Sequence, residues 1–272
     1  MMNVFMTGAT SGFGTVVLEK LVEHGHKVLI AARDPERAKS LVDVVNDRTS
    51  KPKGHAEFIE CDLASLESIR EAIDSVAERF KQLDLLINNA GVWHSKFTES
   101  KDGIEETLQV NLIAPYVFMT ELESLLRKSK APKVINTASG LHQGSINFDD
   151  IQMRDRFSGF SAYRQSKLGI ILTTRLLAKR NPGISYFSQH PGVVNTSLGR
   201  NLGGLVNMFF RLMGSSIEKG AKTLLYLSMT PAEQLKSGEY YAKCEVTNTT
   251  IESRDLVMAK KLEQTIKALL RN

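Results

Sequence analysis

The chain has 272 residues, 42% hydrophobic and 24% charged, a globular balance that excludes a disordered or fibrous chain and allows a sizeable core. Its formal net charge of +5 is spread along the chain, which is weak evidence for nucleic acid and fits phosphorylated ligands equally well, and no nucleic-acid partner is expected. No stretch of eighteen apolar residues occurs, no secretory pattern follows Met1, and the two cysteines, Cys61 and Cys244, form neither a metal spacing nor a disulfide framework. The expectation is a cytoplasmic protein with no transmembrane segment.

In chain order, short apolar runs alternate with longer amphipathic ones. Residues 3–9 read as a buried strand and 12–25 as a helix. Strand 26–32 and helix 34–48 follow, then strand 55–63 and helix 65–80. Strand 83–91 precedes a long helix near 103–128, and strand 132–139 precedes a loop over 140–158. A helix at 160–180, a strand at 183–190, a helix at 217–228 and a seventh strand at 238–242 complete the pattern, and the tail 253–271 is amphipathic and basic. Alternation at this spacing predicts βαβ units, and near-continuous apolar strands predict a sheet covered on both faces. The fold class expected is α/β: a doubly wound, Rossmann-type parallel sheet of about seven strands with helices on both faces. It forms one domain over 1–272, with a variable segment near 192–216.

The stretch TGATSGFG, residues 7–14, follows the first strand and opens a helix. Gly8, Gly12 and Gly14 give a turn where backbone N–H groups approach a pyrophosphate closely, with Thr10, Ser11 and Phe13 between them. The spacing is not G-x-G-x-x-G, so the context of strand, turn and helix carries the reading; the other reading is a tight packing turn. The second strand ends in Ala31 and Ala32 without an acid, and Arg33 follows at once. An arginine there suits a 2′-phosphate, so NADP(H) is expected over NAD(H). Asp34 lies about twenty residues after Gly14, where an acid holds the ribose in NAD binders, but before Pro35 it also reads as a helix N-cap.

Tyr163 precedes Lys167 by four residues in a helical segment, a spacing that puts both on one helix face and does not by itself make a catalytic pair. Asn111 falls inside a helix, where asparagine invites a reason, either function or satisfaction of buried backbone. Asp62 reads either as a ligand contact or as a turn acid before the next helix, and Ser139 lies at a strand end.

Taken in order, these motifs resemble the short-chain dehydrogenase/reductase family over nearly the whole chain. TGATSGFG is similar to that family's cofactor turn, with Phe13 where an aliphatic residue is more usual. The resemblance implies cofactor contacts at Asp62 and Leu63, at Asn89, Ala90 and Gly91 of NNAG, and at Pro191, Gly192, Val194 and Thr196 of HPGVVNT. It implies a catalytic group of Asn111, Ser139, Tyr163 and Lys167, with Ala138 where a second serine is common. Tyr163 would be the general acid/base, Lys167 would lower its pKa and hold the nicotinamide ribose, Ser139 would orient the substrate oxygen, and Asn111 would hold a water beside Lys167. The loop HQGSINFDDIQ, the stretch YRQSKLGIILTTRLLA and the ending SGEYYAKC resemble retinol-dehydrogenase-like members. Many of those carry an N-terminal membrane anchor, and none is expected for this chain.

The function expected is an NADP(H)-dependent oxidoreductase interconverting an alcohol and a carbonyl on a lipophilic small molecule. A dinucleotide-binding redox regulator without turnover is the alternative, against which the Tyr–Lys pair argues. Trp93, His94, His142 and Gln143 follow strand ends and are expected near the substrate; for the histidines the other reading is surface placement. The six histidines show no metal-ligand spacing, and no metal is expected. Residues 202–214 are expected to form an apolar lid, with a subunit contact or a membrane-touching patch as the other readings, and the family resemblance implies a homo-oligomer.

Overall fold

The computed structural model describes residues 1–48, 54–192 and 216–271. The first strands and helices are β1 (Asn3–Thr7), α1 (Phe13–Glu23), β2 (Lys27–Ala32), α2 (Pro35–Arg48), β3 (His55–Glu60), α3 (Leu66–Arg79) and β4 (Leu85–Asn88). Next come α4 (Glu106–Leu108), a π-helical turn (Gln109–Ile113), α5 (Ala114–Glu121), α6 (Glu123–Leu126), β5 (Lys133–Thr137), α7 (Gly159–Arg180) and β6 (Ser185–His190). The last are α8 (Ile217–Met229), β7 (Tyr240–Ala242), β8 (Glu245–Val246) and α9 (Leu256–Leu269).

All eight strands form one sheet in the order β3-β2-β1-β4-β5-β6-β7-β8, parallel except for the β7–β8 pair. Alternate residues of each strand feed opposite faces. Phe5, Leu29, Leu86, Val134 and Tyr186 pack with α3, α5, α7 and α9, whereas Val4, Met6, Val28, Ile30, Leu85, Ile87, Ile135 and Phe187 pack with α1, α2 and α8. Both faces being apolar explains the unbroken hydrophobic strands. Side-chain caps start several helices: Asp34 Oδ1 accepts the Arg37 N–H at 3.0 Å, Ser65 caps α3, and Asp255 caps α9 through the Val257 and Met258 N–H groups.

Two elements differ from the sequence expectation. The sheet has eight strands rather than seven, because Tyr240–Ala242 turns back into Glu245–Val246. The two-residue loop is Lys243–Cys244, with φ of 53° and 67°, and it lacks the Asn-Gly pair that usually announces such a turn. The predicted helix at 103–128 begins only at Glu106 and contains the π turn. Pro115 has no N–H for the carbonyl of Asn111, so regular α-helical bonding is interrupted there. Among the described residues no helix is long and apolar enough to cross a membrane.

Candidate active site

The strand order reverses between β1 and β4, which makes their C-terminal ends the crevice where ligands bind in an open α/β sheet. A polar network fixes those ends. Thr7 Oγ1 accepts the N–H groups of Asn89 and Ala90 at 3.0 and 3.1 Å. Asn89 Nδ2 donates to the Gly8 carbonyl at 2.9 Å, and Thr137 Oγ1 donates to Asn89 Oδ1 at 2.9 Å. Gln189 Nε2 donates to Thr137 Oγ1, so the network runs from β1 through β4 and β5 to β6.

The glycine turn is packed so closely that side chains are excluded. A Cβ on Gly8, whose φ is +69°, would lie 2.6 Å from the Ala90 nitrogen, and one on Gly14 would lie 2.0 Å from the Gly8 oxygen. Gly12 is the N-cap of α1 and provides no side-chain cap, which leaves the first N–H groups of that helix open to an anion.

A cavity of about 450 Å³ opens over this turn, within the size range of small-molecule sites. At one end it is lined by Gly8, Thr10, Ser11, Phe13, Arg33, Asp62 and Leu63, and at its middle by Asn89, Ala90 and Gly91. Trp93, Ser139, Tyr163, Lys167, Pro191 and Gly192 line the rest. Gly12 and Gly14 shape the turn beneath it. Val194, Thr196 and residues 202–214 lie outside the described residues.

Asp62 combines both of its sequence readings: it lines the cavity, and its Oδ1 accepts the Ala64 N–H at 3.1 Å while Lys101 pairs with Oδ2 at 3.3 Å. Asn111 sits in the π turn, buried, and holds Val92 and Ser166 through its carboxamide. A Cβ on Gly91 would lie 3.3 Å from Asn111 Oδ1 and 3.4 Å from Lys167 Nζ, so both groups sit close against Gly91 in the middle of the cavity.

Tyr163 and Lys167 are both buried on α7, and Lys167 Nζ lies 5.6 Å from the Tyr163 ring centroid. Lys167 donates to the Thr137 carbonyl at 3.0 Å. Burial pushes the Tyr163 phenol up to about 12, against the opposing hydrogen bond with Ser139, and pushes Lys167 down to about 8. Desolvation therefore outweighs the lowering of the phenol pKa expected from the lysine.

Of the four residues expected near the substrate, only Trp93 lines the cavity, with its indole stacked on Tyr163 at 4.4 Å between ring centroids. The other three are turned to local partners. His94 Nε2 lies 3.4 Å from Glu106 Oε2, and its pKa is raised by that contact. Buried His142 donates from Nδ1 to the Ser139 carbonyl at 2.8 Å, and exposed Gln143 donates to the Gly140 carbonyl at 2.6 Å. Glu106, Val110 and His190 also line the cavity and were missed. Val110 and Glu106 precede Asn111 by one and five residues, and His190 directly precedes Pro191, so adjacency to the motifs was the available signal. His190 Nδ1 accepts the Gly140 N–H at 3.1 Å, and burial lowers its pKa to about 4. Among the described residues no cluster suits a metal ion.

The glycine cradle, the open N-terminus of α1 and a cavity reaching from Arg33 to Lys167 fit a dinucleotide. The fold is a doubly wound α/β sheet with its crevice at the switch point between β1 and β4. The family profile described as short chain dehydrogenase matches residues 2–204, and the chain belongs to that family, whose members use NAD(P). Retinol dehydrogenase 14 of Mus musculus is 32% identical over 95% of this chain and 83% of its own length. A Streptomyces sp. (strain C5) protein, provisionally named a daunorubicin C-13 ketoreductase, is 36% identical over 95% of this chain and 89% of its own. A short chain dehydrogenase from Burkholderia cenocepacia, solved in complex with NADP, superposes with a TM-score of 0.69 at 26% identity, covering 87% of this chain and 94% of that one.

Proposed function

We propose that this oxidoreductase interconverts an alcohol and a carbonyl on a lipophilic small molecule, with NADP(H) as the preferred cofactor and Tyr163 as general acid/base. The observation that carries the reading is the single cavity joining Arg33 and the glycine turn to Ser139, Tyr163 and Lys167. When bound, the cofactor supplies or accepts hydride. The residues to hold it are Gly8, Thr10, Ser11 and the first turn of α1 at the pyrophosphate, Asp62 and Leu63 at the base, and Lys167 at the ribose.

Ala31, Ala32 and Arg33 all line the cavity, and β2 ends without an acid, a setting that suits a 2′-phosphate. Ser139 orients the substrate oxygen. Tyr163 gives that oxygen its proton in reduction and removes it in oxidation. The high phenol pKa keeps the proton on Tyr163 at neutral pH, which is the form reduction requires. Leu141, Val110, Phe13 and Trp93 supply apolar lining, and relatives named for retinol and polyprenol support a lipophilic substrate.

Calorimetric titration with NADPH and then NADH, followed by a carbonyl screen with the tighter cofactor, tests the proposal. Tight NADPH, weaker NADH and turnover of an apolar aldehyde or ketone are expected. Binding of neither cofactor would overturn it.

A further inference from the structure

We propose that Trp93 is a positioning residue for Tyr163: its indole holds the phenol ring in the orientation that brings the hydroxyl to Ser139 and keeps water from one face of that ring. The inference rests on the reading of Tyr163 given above and adds a residue to it.

Trp93 stands in the loop after β4, two residues beyond Gly91, and Tyr163 stands near the start of α7. Their ring centroids are 4.4 Å apart and their planes differ by 8°, so the two aromatic faces lie flat on one another. Trp93 is 8% exposed and Tyr163 4%. Phe160, one turn earlier on α7, lies 6.0 Å from the indole at 37°, and the Arg164 guanidinium lies 5.3 Å over Phe160. A ladder of flat groups thus runs from the surface to the buried phenol.

The phenol hydroxyl lies on the axis of ring rotation about Cβ–Cγ, so spinning the ring does not displace it. Tilting about Cα–Cβ does, and a flat partner against the ring resists that tilt. Stacking of this kind stabilises the pair beyond burial alone, and small displacements of a reacting group cost large factors in rate.

The groups facing Tyr163 come from several elements. Lys167 lies on the same helix, with its ammonium 5.6 Å from the ring centroid, and Ser139 lies beyond the end of β5. Tyr240 of β7 interacts electrostatically with the phenol, and its own ring is 5.1 Å from His142. His190, at the end of β6, feels His142 in turn. The indole carries no charge. It acts on the phenol by excluding water and by presenting its electron-rich face, and both disfavour the phenolate.

The test compares Trp93→Phe and Trp93→Ala with the unaltered protein. Tyr163 titration is followed by NMR of ¹³C-labelled tyrosine in the cofactor-free protein, assigned with Tyr163→Phe. Alongside it, kcat, KM and the pH profile of alcohol oxidation are measured. In Trp93→Ala the titration and the oxidation limb both move down, because water then reaches one face of the phenol. Its kcat falls roughly 10–100-fold, while NADPH affinity changes less than about threefold. Trp93→Phe keeps most of the rate and the original titration. An unmoved titration with unchanged kcat in Trp93→Ala would overturn the proposal, and so would a loss confined to thermal stability. If Trp93→Ala fails to fold, Trp93→Leu replaces it with the same expectations. If the unaltered protein shows no turnover, the reading of Tyr163 as acid/base fails, and the NMR titration separately decides whether the indole controls the phenol.

Discussion

Asn111 and Val92 hold one another through two hydrogen bonds: the Val92 N–H donates to Asn111 Oδ1 at 2.8 Å, and Asn111 Nδ2 donates to the Val92 carbonyl at 2.9 Å. The second Nδ2 proton goes to Ser166 Oγ at 3.0 Å, and Ser166 donates to the Tyr163 carbonyl at 2.7 Å. One buried carboxamide therefore ties the loop after β4 to the helix of the Tyr–Lys pair. Replacing Asn111 with Leu strands the Val92 N–H and carbonyl. The expected loss of stability is about 3 kcal/mol, read by equilibrium urea unfolding, with weakened NADPH binding. A stability loss below about 0.5 kcal/mol would mean that the pair is not a structural tie.

Arg33→Ala separates the two cofactors. Losing a charge-assisted contact to a phosphate costs about 1.5–3 kcal/mol, so NADPH should weaken roughly 10–100-fold and NADH less than about threefold. Parallel titrations decide it. Equal losses would place recognition of the 2′-phosphate on another residue.

Gly14→Ala introduces a Cβ that meets the Gly8 oxygen at 2.0 Å. Because that contact is backbone, α1 and the glycine turn must separate. The expectation is at least a tenfold loss of cofactor affinity, measured by calorimetry, with the far-ultraviolet circular dichroism retained. Unchanged affinity would show that the turn does not carry the pyrophosphate.

Glu263 of α9 is clamped by Arg180 through two hydrogen bonds at 2.7 and 2.5 Å, by the Tyr116 hydroxyl at 2.8 Å and by Lys267 at 3.2 Å. Chiefly through Arg180, the carboxyl falls from 4.5 to about 2. Since the folded value lies below the unfolded one, the stabilisation is complete above about 4.5 and is lost as pH falls toward about 2. Glu263→Gln should cost about 2 kcal/mol at neutral pH, a figure reduced because Arg180 and Lys267 are solvent-exposed. The difference between the two proteins should shrink on acidification. A constant difference across that range, measured by unfolding at a series of pH values, would contradict the assignment.

Much of the fold was legible because its signals are local. Strands covered on both faces must be apolar throughout, and Asp34–Pro35 announced the start of α2. The strand β8 was not legible, since Lys243 and Cys244 adopt left-handed backbone without being glycine or asparagine. The interruption at Gln109–Ile113 depends on Pro115 within an otherwise helical pattern, although Asn111 was singled out as unusual in that position. The sequence indicated which strand ends meet in the crevice. It did not indicate where side chains turn there: His94 is drawn to Glu106, and His142 and Gln143 are drawn to backbone carbonyls, while Glu106 and His190 enter the cavity wall. Such choices depend on partners far away in sequence.

The most direct test of the central claim is hydride transfer from 4-deuterated NADPH to an apolar carbonyl in a single turnover, comparing the unaltered protein with Tyr163→Phe. The phenylalanine keeps the ring against Trp93 and removes only the hydroxyl. Deuterated alcohol is expected from the unaltered protein, and from Tyr163→Phe full NADPH binding with transfer slowed by roughly 10²–10⁴. Equal rates from both proteins would contradict Tyr163 as the proton donor.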